Sequence, residues 1–522
     1  MANRADFDIA IIGLGPVGAA AANLAGAAGL RTLVLERGDA PYRQPRAIVF
    51  DAEIMRIFDS IGLAGAVADV TRPLGGSVYL GADLKPIRTF RARPRSDPLA
   101  WHPGNLFYQP QLEALLRDGL ARFPHVEVRC GHEVTGIDGS EISACDGEGE
   151  GVAFSARFIL ACDGASSTVR KTLEIPLDDI GFEERWLVVD TLVDGPMQWP
   201  EDHEIPEEVR DGRFSLMVCD PARPATLIPG SGRHRRWEYM LLPGERDEEV
   251  MEEAWLRRHI GKWIDPDHVE IVRAAVYRFR ALLADRWRAG NVFLLGDAAH
   301  QTPPFYGQGM CHGIRDAAQL MWRLSLVLRG TADAALLDSY QPEREPHVRA
   351  VISASVAAGA EVCKLDPEDA ARRDTAFREA ERNRDGTVAM TDIVPPIRGG
   401  VVDAASGGMR VPEFVVASPE GRRHFDALLE GRFTLLAAAP LASDASAWAA
   451  IEGQTIRPDD HALQEWLASD GNDWTIVRPD RYIFAAGAGQ DALDAAIADL
   501  AAQLCLVAPA ASTLSSSTEA LP

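Results

Sequence analysis

The feature that most constrains this chain is a glycine-rich turn near the N-terminus, between an apolar run and an alanine-rich run. Residues 7–12 read FDIAII, residues 13–18 read GLGPVG, and small apolar residues continue to position 30. A short apolar run predicts a buried strand, and the longer run of strong helix formers predicts a helix. The sequence therefore predicts a strand, a tight turn and a helix.

Each glycine of the turn has a separate physical task. Gly13 permits the tight turn, Gly15 lets the backbone approach a pyrophosphate, and Gly18 allows close packing of helix on strand. A second apolar run, 32–35, ends at Glu36. A carboxylate there accepts hydrogen bonds from ribose hydroxyls and disfavours a 2′-phosphate. The pattern predicts a Rossmann-like unit that binds FAD or NAD rather than NADP.

The rest of the chain indicates an α/β fold of several parts. Strands are predicted at 126–129, 153–161 and 291–295, with helices opening at Gln109 and near Cys311. Between about 180 and 280, strand-like runs separated by Pro and Gly predict an inserted, mainly antiparallel sheet. The Pro- and Gly-rich segment 391–410 is typical of a linker. A small α/β domain is predicted after it.

Composition excludes several classes of function. A net charge of −24 makes nucleic acid a poor partner, because phosphate binding needs a basic face. No apolar run reaches the ~18 residues of a membrane span, and no signal-peptide pattern opens the chain, so a cytoplasmic location is expected. The seven cysteines are scattered singly, without a CxxC pair or a Cys/His cluster. We expect reduced thiols and no metal.

Three separated motifs together resemble one family. They are GLGPVG at 13–18, CDGASSTVR at 162–170 and LLGDAAHQTPPFYGQGM at 294–310. The set is similar to the single-component flavoprotein aromatic hydroxylases with the p-hydroxybenzoate hydroxylase fold, whose DG motif matches Asp163-Gly164 and whose GD motif matches Gly296-Asp297. The segments CDPARPATLIPG and VRPDRYIFAAG further resemble the 3-(3-hydroxyphenyl)propionate hydroxylase branch.

The resemblance implies an activity and a domain plan. The cofactor would be FAD, with NADH or NADPH and O2 as co-substrates, and a phenolic substrate would be hydroxylated through a flavin C4a-hydroperoxide. That substrate would be like 3-(3-hydroxyphenyl)propionate, or a related phenol or polyketide. The plan is an FAD-binding domain (1–180 and 281–390), a substrate-binding sheet domain (181–280), a linker (391–410), a thioredoxin-like domain (411–508) and a disordered tail (509–522). The thioredoxin-like domain holds only Cys505, which excludes dithiol chemistry.

The resemblance also assigns cofactor contacts. Glu36 would bind the FAD ribose, Arg46 and Gln109 the phosphate and ribityl side, Asp163 the FAD and the nicotinamide approach, and Asp297 the ribityl hydroxyls. The flavin loop would contribute Pro304, Gly307, Gly309 and Met310. The alternatives are structural: a surface ion pair for Arg46, helix caps for Gln109 and Asp163, and a turn for Asp297.

The substrate pocket is the least constrained part of the prediction. Tyr306, His312 and Arg223 are the pocket candidates, and Tyr306 and His312 are the candidate catalytic residues, with His312 as a proton acceptor. The alternative for His312 is a histidine that is solvent-exposed or satisfied in the core. The family has a small residue at the position of Tyr306 and often one at that of His312. These departures leave the substrate open.

Other classes of protein remain as alternatives. A flavin halogenase would need a lysine near the flavin and a WxWxIP signature, which this sequence lacks. A flavin-binding protein without catalytic activity could serve in assembly, and would show no substrate-stimulated NAD(P)H oxidation. A simple NAD dehydrogenase would need a second nucleotide fold, which the sequence does not indicate. The oligomeric state, a homodimer included, is left open.

Overall fold

The glycine-rich turn joins the strand Phe7–Ile12 to the helix Pro16–Ala27 in the computed structural model. The structure describes residues 5–40, 46–199, 204–382, 387–388, 390–419, 421–439 and 445–507. Gly13 has φ +97°, a conformation that side chains with a Cβ rarely adopt. Pro16 occupies the first helical position, where a missing N–H costs no hydrogen bond. The predicted strand, turn and helix are therefore present.

Phe7–Ile12 lies in the centre of a sheet that has eight strands among the described residues. Its neighbours, Gly151–Ala161 and Thr32–Leu35, both run parallel to it, as a dinucleotide-binding unit requires. The remaining strands of this sheet are Val126–Arg129, Glu133–Asp138, Glu141–Cys145, Arg288–Ala289 and Val292–Leu294.

A second sheet has nine described strands, and residues of both sheets line one cavity. In sheet order its strands are His300–Gln301, Val269–Ala284, Leu177–Val193, His234–Met240, Ala225–Pro229, Phe214–Val218, Gly76–Leu80, Pro86–Ala92 and Thr387–Val388. The sheet also includes strands outside the predicted range 181–280, because Gly76–Leu80 pairs in parallel with Phe214–Val218. Long-range pairing of this kind leaves no local pattern.

The second sheet has two faces of different character. Trp237, Tyr239 and Leu187 belong to an apolar core on one face, together with Leu256 from the helix Glu253–Ile260. Because side chains alternate along a strand, the residues between them point to the other face. That other face is turned toward the parallel sheet, and it forms a wall of the site described below.

The C-terminal part is a small α/β unit built on a four-stranded sheet, in the order Gln454–Ile456, Thr434–Ala437, Trp474–Val477 and Ile483–Gly487. A hairpin, Val415–Ser418 with Gly421–His424, precedes it. The segment 391–410 is packed rather than a free linker, since Ile397 and Val402 are buried against Tyr482. The predicted disordered tail, 509–522, lies outside the described residues.

The helices and short strands complete the architecture. A three-stranded sheet contains Val49–Asp51, Arg72–Pro73 and Gly104–Leu106. The longest helices are Gly309–Leu328 and Tyr340–Val362. The other α-helices described are Ala52–Ser60, Ala64–Asp69, Gln109–Asp118, Thr168–Thr172, Glu207–Arg210, Asp247–Val250, Pro367–Glu381, Asp426–Leu429, Ala445–Ala450, His461–Leu467 and Gln490–Gln503. In the described chain, none of the helices combines the length and the hydropathy needed to cross a membrane.

Candidate functional site

One cavity of about 1080 Å³ extends from the glycine-rich turn to the inner face of the nine-stranded sheet. Its walls come from the carboxyl ends of the parallel strands, the DG and GD turns, the start of the helix Gly309–Leu328 and the sheet face. Open α/β sheets bind ligands at the carboxyl ends of their strands. The volume is large for one small molecule, so it suits a dinucleotide next to a substrate.

The glycine-rich turn and Glu36 form one end of the cavity. Glu36 accepts hydrogen bonds from the backbone N–H groups of Leu14 (2.6 Å) and Gly38 (2.9 Å). These bonds hold its carboxylate beside the turn. A Cβ on Gly18 would lie 1.9 Å from the carbonyl oxygen of Gly13, whereas a Cβ on Gly15 would meet no atom of the described residues within 4 Å, its chain neighbours aside. Gly18 is therefore required for packing, and Gly15 leaves open space on the cavity side.

Arg46, Gln109 and Asp297 come together further along the cavity. The guanidinium of Arg46 lies 3.0 Å from a carboxylate oxygen of Asp297, and both side chains are partly exposed. Gln109 Oε1 accepts from the backbone N–H groups of Arg46 (2.6 Å) and Ala47 (2.8 Å). Gln109 Nε2 donates to Glu113 at 2.7 Å. Gln109 therefore fixes the backbone that carries Arg46, and the cap proposed as its alternative role is not seen.

Two buried oxygen atoms on the cavity wall test whether FAD fits. Asp163 Oδ1 and Thr302 Oγ1 have no hydrogen-bond partner among the described residues. The other oxygen of Asp163 caps the short helix after the DG motif by accepting from Val169 N at 3.1 Å. A buried polar atom without a partner is costly, and the hydroxyl and N–H groups of FAD would supply partners. The cavity therefore fits the dinucleotide that the sequence predicts.

The predicted flavin loop lines the same cavity. Pro304, Tyr306, Gly307, Gly309 and Met310 all contribute to its wall. Gly307 has φ +62°, and a Cβ there would lie 2.4 Å from Val49. The loop leads directly into the helix Gly309–Leu328, so the positive end of that helix faces the cavity. Backbone N–H groups at this position can stabilise negative charge on a ligand.

Two predicted pocket residues lie elsewhere. His312 is fully buried and does not line the cavity; its Nδ1 lies 3.2 Å from Arg344. Burial lowers the pKa of His312 well below its ordinary value, and the charges of Arg315 and Arg344 lower it further. The prediction of a pocket role is wrong for this residue, because its side chain points into the protein core and not into the cavity. Its position is that of a core histidine, although its Nε2 has no hydrogen-bond partner among the described residues.

Arg223 also lies outside the cavity. Its guanidinium forms a two-pronged ion pair with Glu245, at 2.6 and 2.7 Å, and lies 5.3 Å from the ring centroid of Trp255. Trp255 packs on the apolar core behind the nine-stranded sheet. The prediction that Arg223 contributes to the pocket is therefore wrong. Arg223 instead stabilises the turn that follows the strand His234–Met240.

The inner face of the nine-stranded sheet contributes residues to the cavity that were not predicted from the sequence. Tyr79, Arg88 and Glu238 line the same cavity as the flavin loop. Burial raises the pKa of Tyr79, and the neighbouring Tyr306 raises it further. Strand alternation in HRRWEYM could have revealed Glu238, because charged residues alternate there with Trp and Tyr.

A buried charge network supports this face. Asp190 accepts from His234 Nε2 (2.9 Å), Arg236 Nε (2.9 Å) and Arg273 Nε (2.9 Å). Burial raises the pKa of Asp190, but the hydrogen bonds and the positive charges outweigh burial and hold it well below its usual value. Arg236 also donates to the carbonyl oxygen of Arg46 at 2.5 Å. The network thus connects the sheet to the segment that carries Arg46.

Comparisons with known proteins also indicate an FAD-binding protein. A family model described as an FAD binding domain matches residues 6–355, and one described as the HcaD C-terminal domain matches residues 416–503. The chain is 33% identical over 538 aligned residues to the "Probable NADH-specific resorcinol 4-hydroxylase" of Rhodococcus jostii (strain RHA1). That match covers 97% of this chain and 96% of the relative.

Two further similarities extend the comparison. The 3-(3-hydroxy-phenyl)propionate/3-hydroxycinnamic acid hydroxylase of Escherichia coli O81 (strain ED1a) is 36% identical over 362 residues, which cover 67% of this chain and 61% of that protein. The crystal structure of aklavinone-11 hydroxylase with FAD and aklavinone superposes with a TM-score of 0.76 at 22% identity, covering 96% of this chain and 100% of that one. The last similarity concerns the fold alone.

Proposed function

This chain belongs to the FAD binding domain family, and from that premise we propose that it hydroxylates a small phenol of the resorcinol type with NADH and O2. It is an FAD-dependent aromatic hydroxylase, as the sequence predicts. The finer assignment rests on the relative named as an NADH-specific resorcinol hydroxylase, which matches over nearly the whole length of both chains. The overall reaction converts ring C–H, O2, NADH and H⁺ into C–OH, H2O and NAD⁺.

The observation that carries the proposal is the continuity of the cavity. A single space connects the dinucleotide-binding turn at Gly13 to the polar sheet face at Glu238, and Tyr306 lies in the loop between them. Bound FAD would accept a hydride from NADH and deliver one oxygen atom of O2 to the ring. The protein has to place the substrate beside the flavin and to exclude water.

The residues around the cavity divide these tasks. We assign Glu36 to the ribose, Arg46 to the diphosphate, and Asp163 and Asp297 to the polar chain of FAD. The helix that begins at Gly309 would stabilise negative charge on the reduced flavin. The nine-stranded sheet would cover the substrate and keep water out.

One observation favours a second substrate class, a phenol with an acidic side chain. Arg88 lines the cavity and forms no ion pair within the described part of the chain. Its guanidinium lies 4.7 Å from the ring centroid of Phe377 and 5.1 Å from that of Phe90. A guanidinium in a pocket of this kind can bind a carboxylate in two-pronged fashion. The relative named for hydroxyphenylpropionate acts on such an acid by its name.

A coupled assay tests the proposal. Purified protein reconstituted with FAD is mixed with NADH and either resorcinol, 3-(3-hydroxyphenyl)propionate or benzoate, which lacks the hydroxyl. We expect the phenols to accelerate NADH oxidation and to yield a product carrying one atom of ¹⁸O from ¹⁸O2. Benzoate should release hydrogen peroxide without a hydroxylated product, because an unactivated ring is a poor nucleophile.

Comparing the two phenols separates the candidates. A higher kcat/KM for resorcinol supports the first class, and Arg88→Leu should then change it little. A higher kcat/KM for 3-(3-hydroxyphenyl)propionate supports the second class. In that case Arg88→Leu should raise KM for this acid and so remove its advantage. Equal hydroxylation of benzoate and the phenols would contradict both.

We also propose a cytoplasmic location, which is supported by seven unpaired cysteines, because disulfides are rare in reducing compartments.

A further inference from the structure

Glu238 is a carboxylate on the inner face of the nine-stranded sheet. It lies in the strand His234–Met240, directly opposite Val188 on one neighbouring strand and Thr226 on the other. Trp237 and Tyr239, on either side of it in sequence, are buried in the apolar core behind the sheet. Glu238 itself lines the cavity. Strand alternation therefore sends its side chain toward the space where a substrate would lie.

The carboxylate of Glu238 is buried, and no described residue pairs with it. The residue is 6% exposed, and its carboxylate receives no hydrogen bond from any residue that the structure describes. Its neighbours Arg236 and Arg273 both donate to Asp190 instead. A buried carboxylate without a partner is costly. Because Glu238 lines the cavity, a ligand bound there could donate a hydrogen bond to it.

The surroundings of Glu238 set its affinity for a proton. Burial raises the pKa of Glu238 to about 7, and the negative charge of Asp190 acts in the same direction. The positive charges of Arg236 on its own strand and of Arg273 on Val269–Ala284 oppose this rise. Val188 and Thr226, the flanking residues on the adjacent strands, carry no charge. A general base is most effective when its pKa lies near the working pH.

We propose that Glu238 accepts a hydrogen bond from the substrate phenol and takes its proton. The O–H bond of the phenol breaks, the proton moves to a carboxylate oxygen of Glu238, and the electron pair stays on the phenolate oxygen. The phenolate raises electron density at the ortho and para carbons, where oxygen is added. The proton returns to the product oxygen or to solvent. This role rests on the proposed hydroxylation of a phenol, and it replaces the base predicted at His312.

The first test is the pH dependence of resorcinol hydroxylation. In the parent enzyme, kcat/KM should rise as pH increases through about 7, because Glu238 must be deprotonated to act. Free phenols titrate near ~10, so the substrate does not account for that rise. Glu238→Gln should lose roughly 10²–10⁴-fold in kcat/KM and the ascending limb with it. Glu238→Asp, which keeps the carboxylate, should recover part of the rate.

Glu184→Gln is the matched control. Glu184 lies on the strand Leu177–Val193 of the same sheet, and burial raises the pKa of its carboxyl too, but it does not line the cavity. This variant should keep the parent pH profile. FAD content and the thermal midpoint should be equal in all variants, which separates a chemical effect from a folding defect.

The second test does not depend on turnover. Ionised 4-nitrophenol absorbs visible light, so titrating the oxidised holoenzyme with it just below the pKa of the free compound reports proton loss on binding. We expect ionisation by the parent and by Glu184→Gln, and none by Glu238→Gln. Ionisation by Glu238→Gln, no spectral change with the parent, or an unaltered pH profile in the variant would overturn the proposal. A parent that ionises the probe but hydroxylates no phenol would refute only the proposed function.

Discussion

Gly15 and Gly18 lie three residues apart in one turn, yet the structure constrains them differently. At Gly18 a Cβ would clash with the backbone of Gly13, which no rotamer change can relieve. At Gly15 the position of a Cβ is open, and it faces the cavity. Gly18 is therefore needed for packing of the turn, whereas Gly15 is predicted to leave room for the cofactor.

These constraints predict opposite behaviour for two alanine substitutions. Gly15→Ala should keep the thermal midpoint of the FAD-free protein but weaken FAD binding, because the methyl group fills the space that the diphosphate needs. Gly18→Ala should lower the midpoint of the FAD-free protein itself. Thermal unfolding without FAD and fluorescence titration with FAD measure the two effects. A stable Gly18→Ala protein, or full FAD affinity in Gly15→Ala, would contradict these assignments.

Among the elements, the helix Gly309–Leu328 carries an unusual set of buried charges. Asp316, on its inner side, accepts hydrogen bonds from Gly296 N (3.0 Å), His300 Nε2 (2.7 Å) and Arg344 Nε (2.8 Å). It thus joins the GD turn, the following strand and the helix Tyr340–Val362 to one helix position. The element therefore positions Asp297 indirectly, through the backbone of Gly296.

Asp316→Asn should loosen the GD turn and leave Arg344 buried without its carboxylate. We expect a loss of about 3–5 kcal/mol in the free energy of unfolding, which urea titration would measure, and faster FAD release. Asp338→Asn, which alters an exposed ion pair with Arg288, should have little effect. FAD release as slow as in the parent would show that the turn does not depend on Asp316.

The contribution of Asp316 to the free energy of unfolding depends on pH in one definite direction. Burial raises the pKa of Asp316, but His300 and Arg344 outweigh burial and lower it from 3.8 to about 2. A lowered pKa means that the charged form stabilises the fold. The contribution is therefore complete above about 4 and is lost as pH falls toward about 2. The stability gap between parent and Asp316→Asn should narrow over that interval.

At the scale of the whole molecule, buried ion pairs tie the C-terminal unit to the FAD-binding part. Arg478 contacts Glu343 at 2.6 Å and also pairs with Asp480, and all three side chains are almost fully buried. Asp480 in turn accepts from Trp322 Nε1 at 3.0 Å. Trp322 packs edge-on against Phe433, so apolar contact continues across the same interface. The two parts should unfold together.

Arg478→Ala tests this coupling. Removing Arg478 leaves Glu343 paired with Arg323 but takes the ion-pair partner from the buried Asp480, so we expect a loss of about 3–5 kcal/mol and a split of the single thermal transition into two. Arg329→Ala breaks the exposed pair with Glu452 across the same interface and should cost less than about 1 kcal/mol. Calorimetry distinguishes the outcomes. One unsplit transition at the parent temperature would show that the units are not coupled through Arg478.

The sequence by itself determined the features that depend on neighbours along the chain. The turn at Gly13, the acid at Glu36 and the family motifs each combine a strand, a turn and a helix within a few residues, so local pattern is sufficient to find them. The predicted family, fold class, FAD cofactor and type of activity are confirmed. The assignments of Arg46, Gln109, Asp163 and Asp297 stay predictions, although the structure places all four around one cavity.

Only the tertiary structure decided which side chains line the cavity where a substrate would bind. His312 is three residues from Gly309 but faces the core, whereas Glu238 is some seventy residues away and faces the cavity. Arg223 points behind the sheet, and the strand Gly76–Leu80 joins that sheet from another region of the chain. Sequence periodicity shows that a strand has two faces. Which face meets the cofactor depends on how distant elements pack, because burial and pairing are properties of the folded chain.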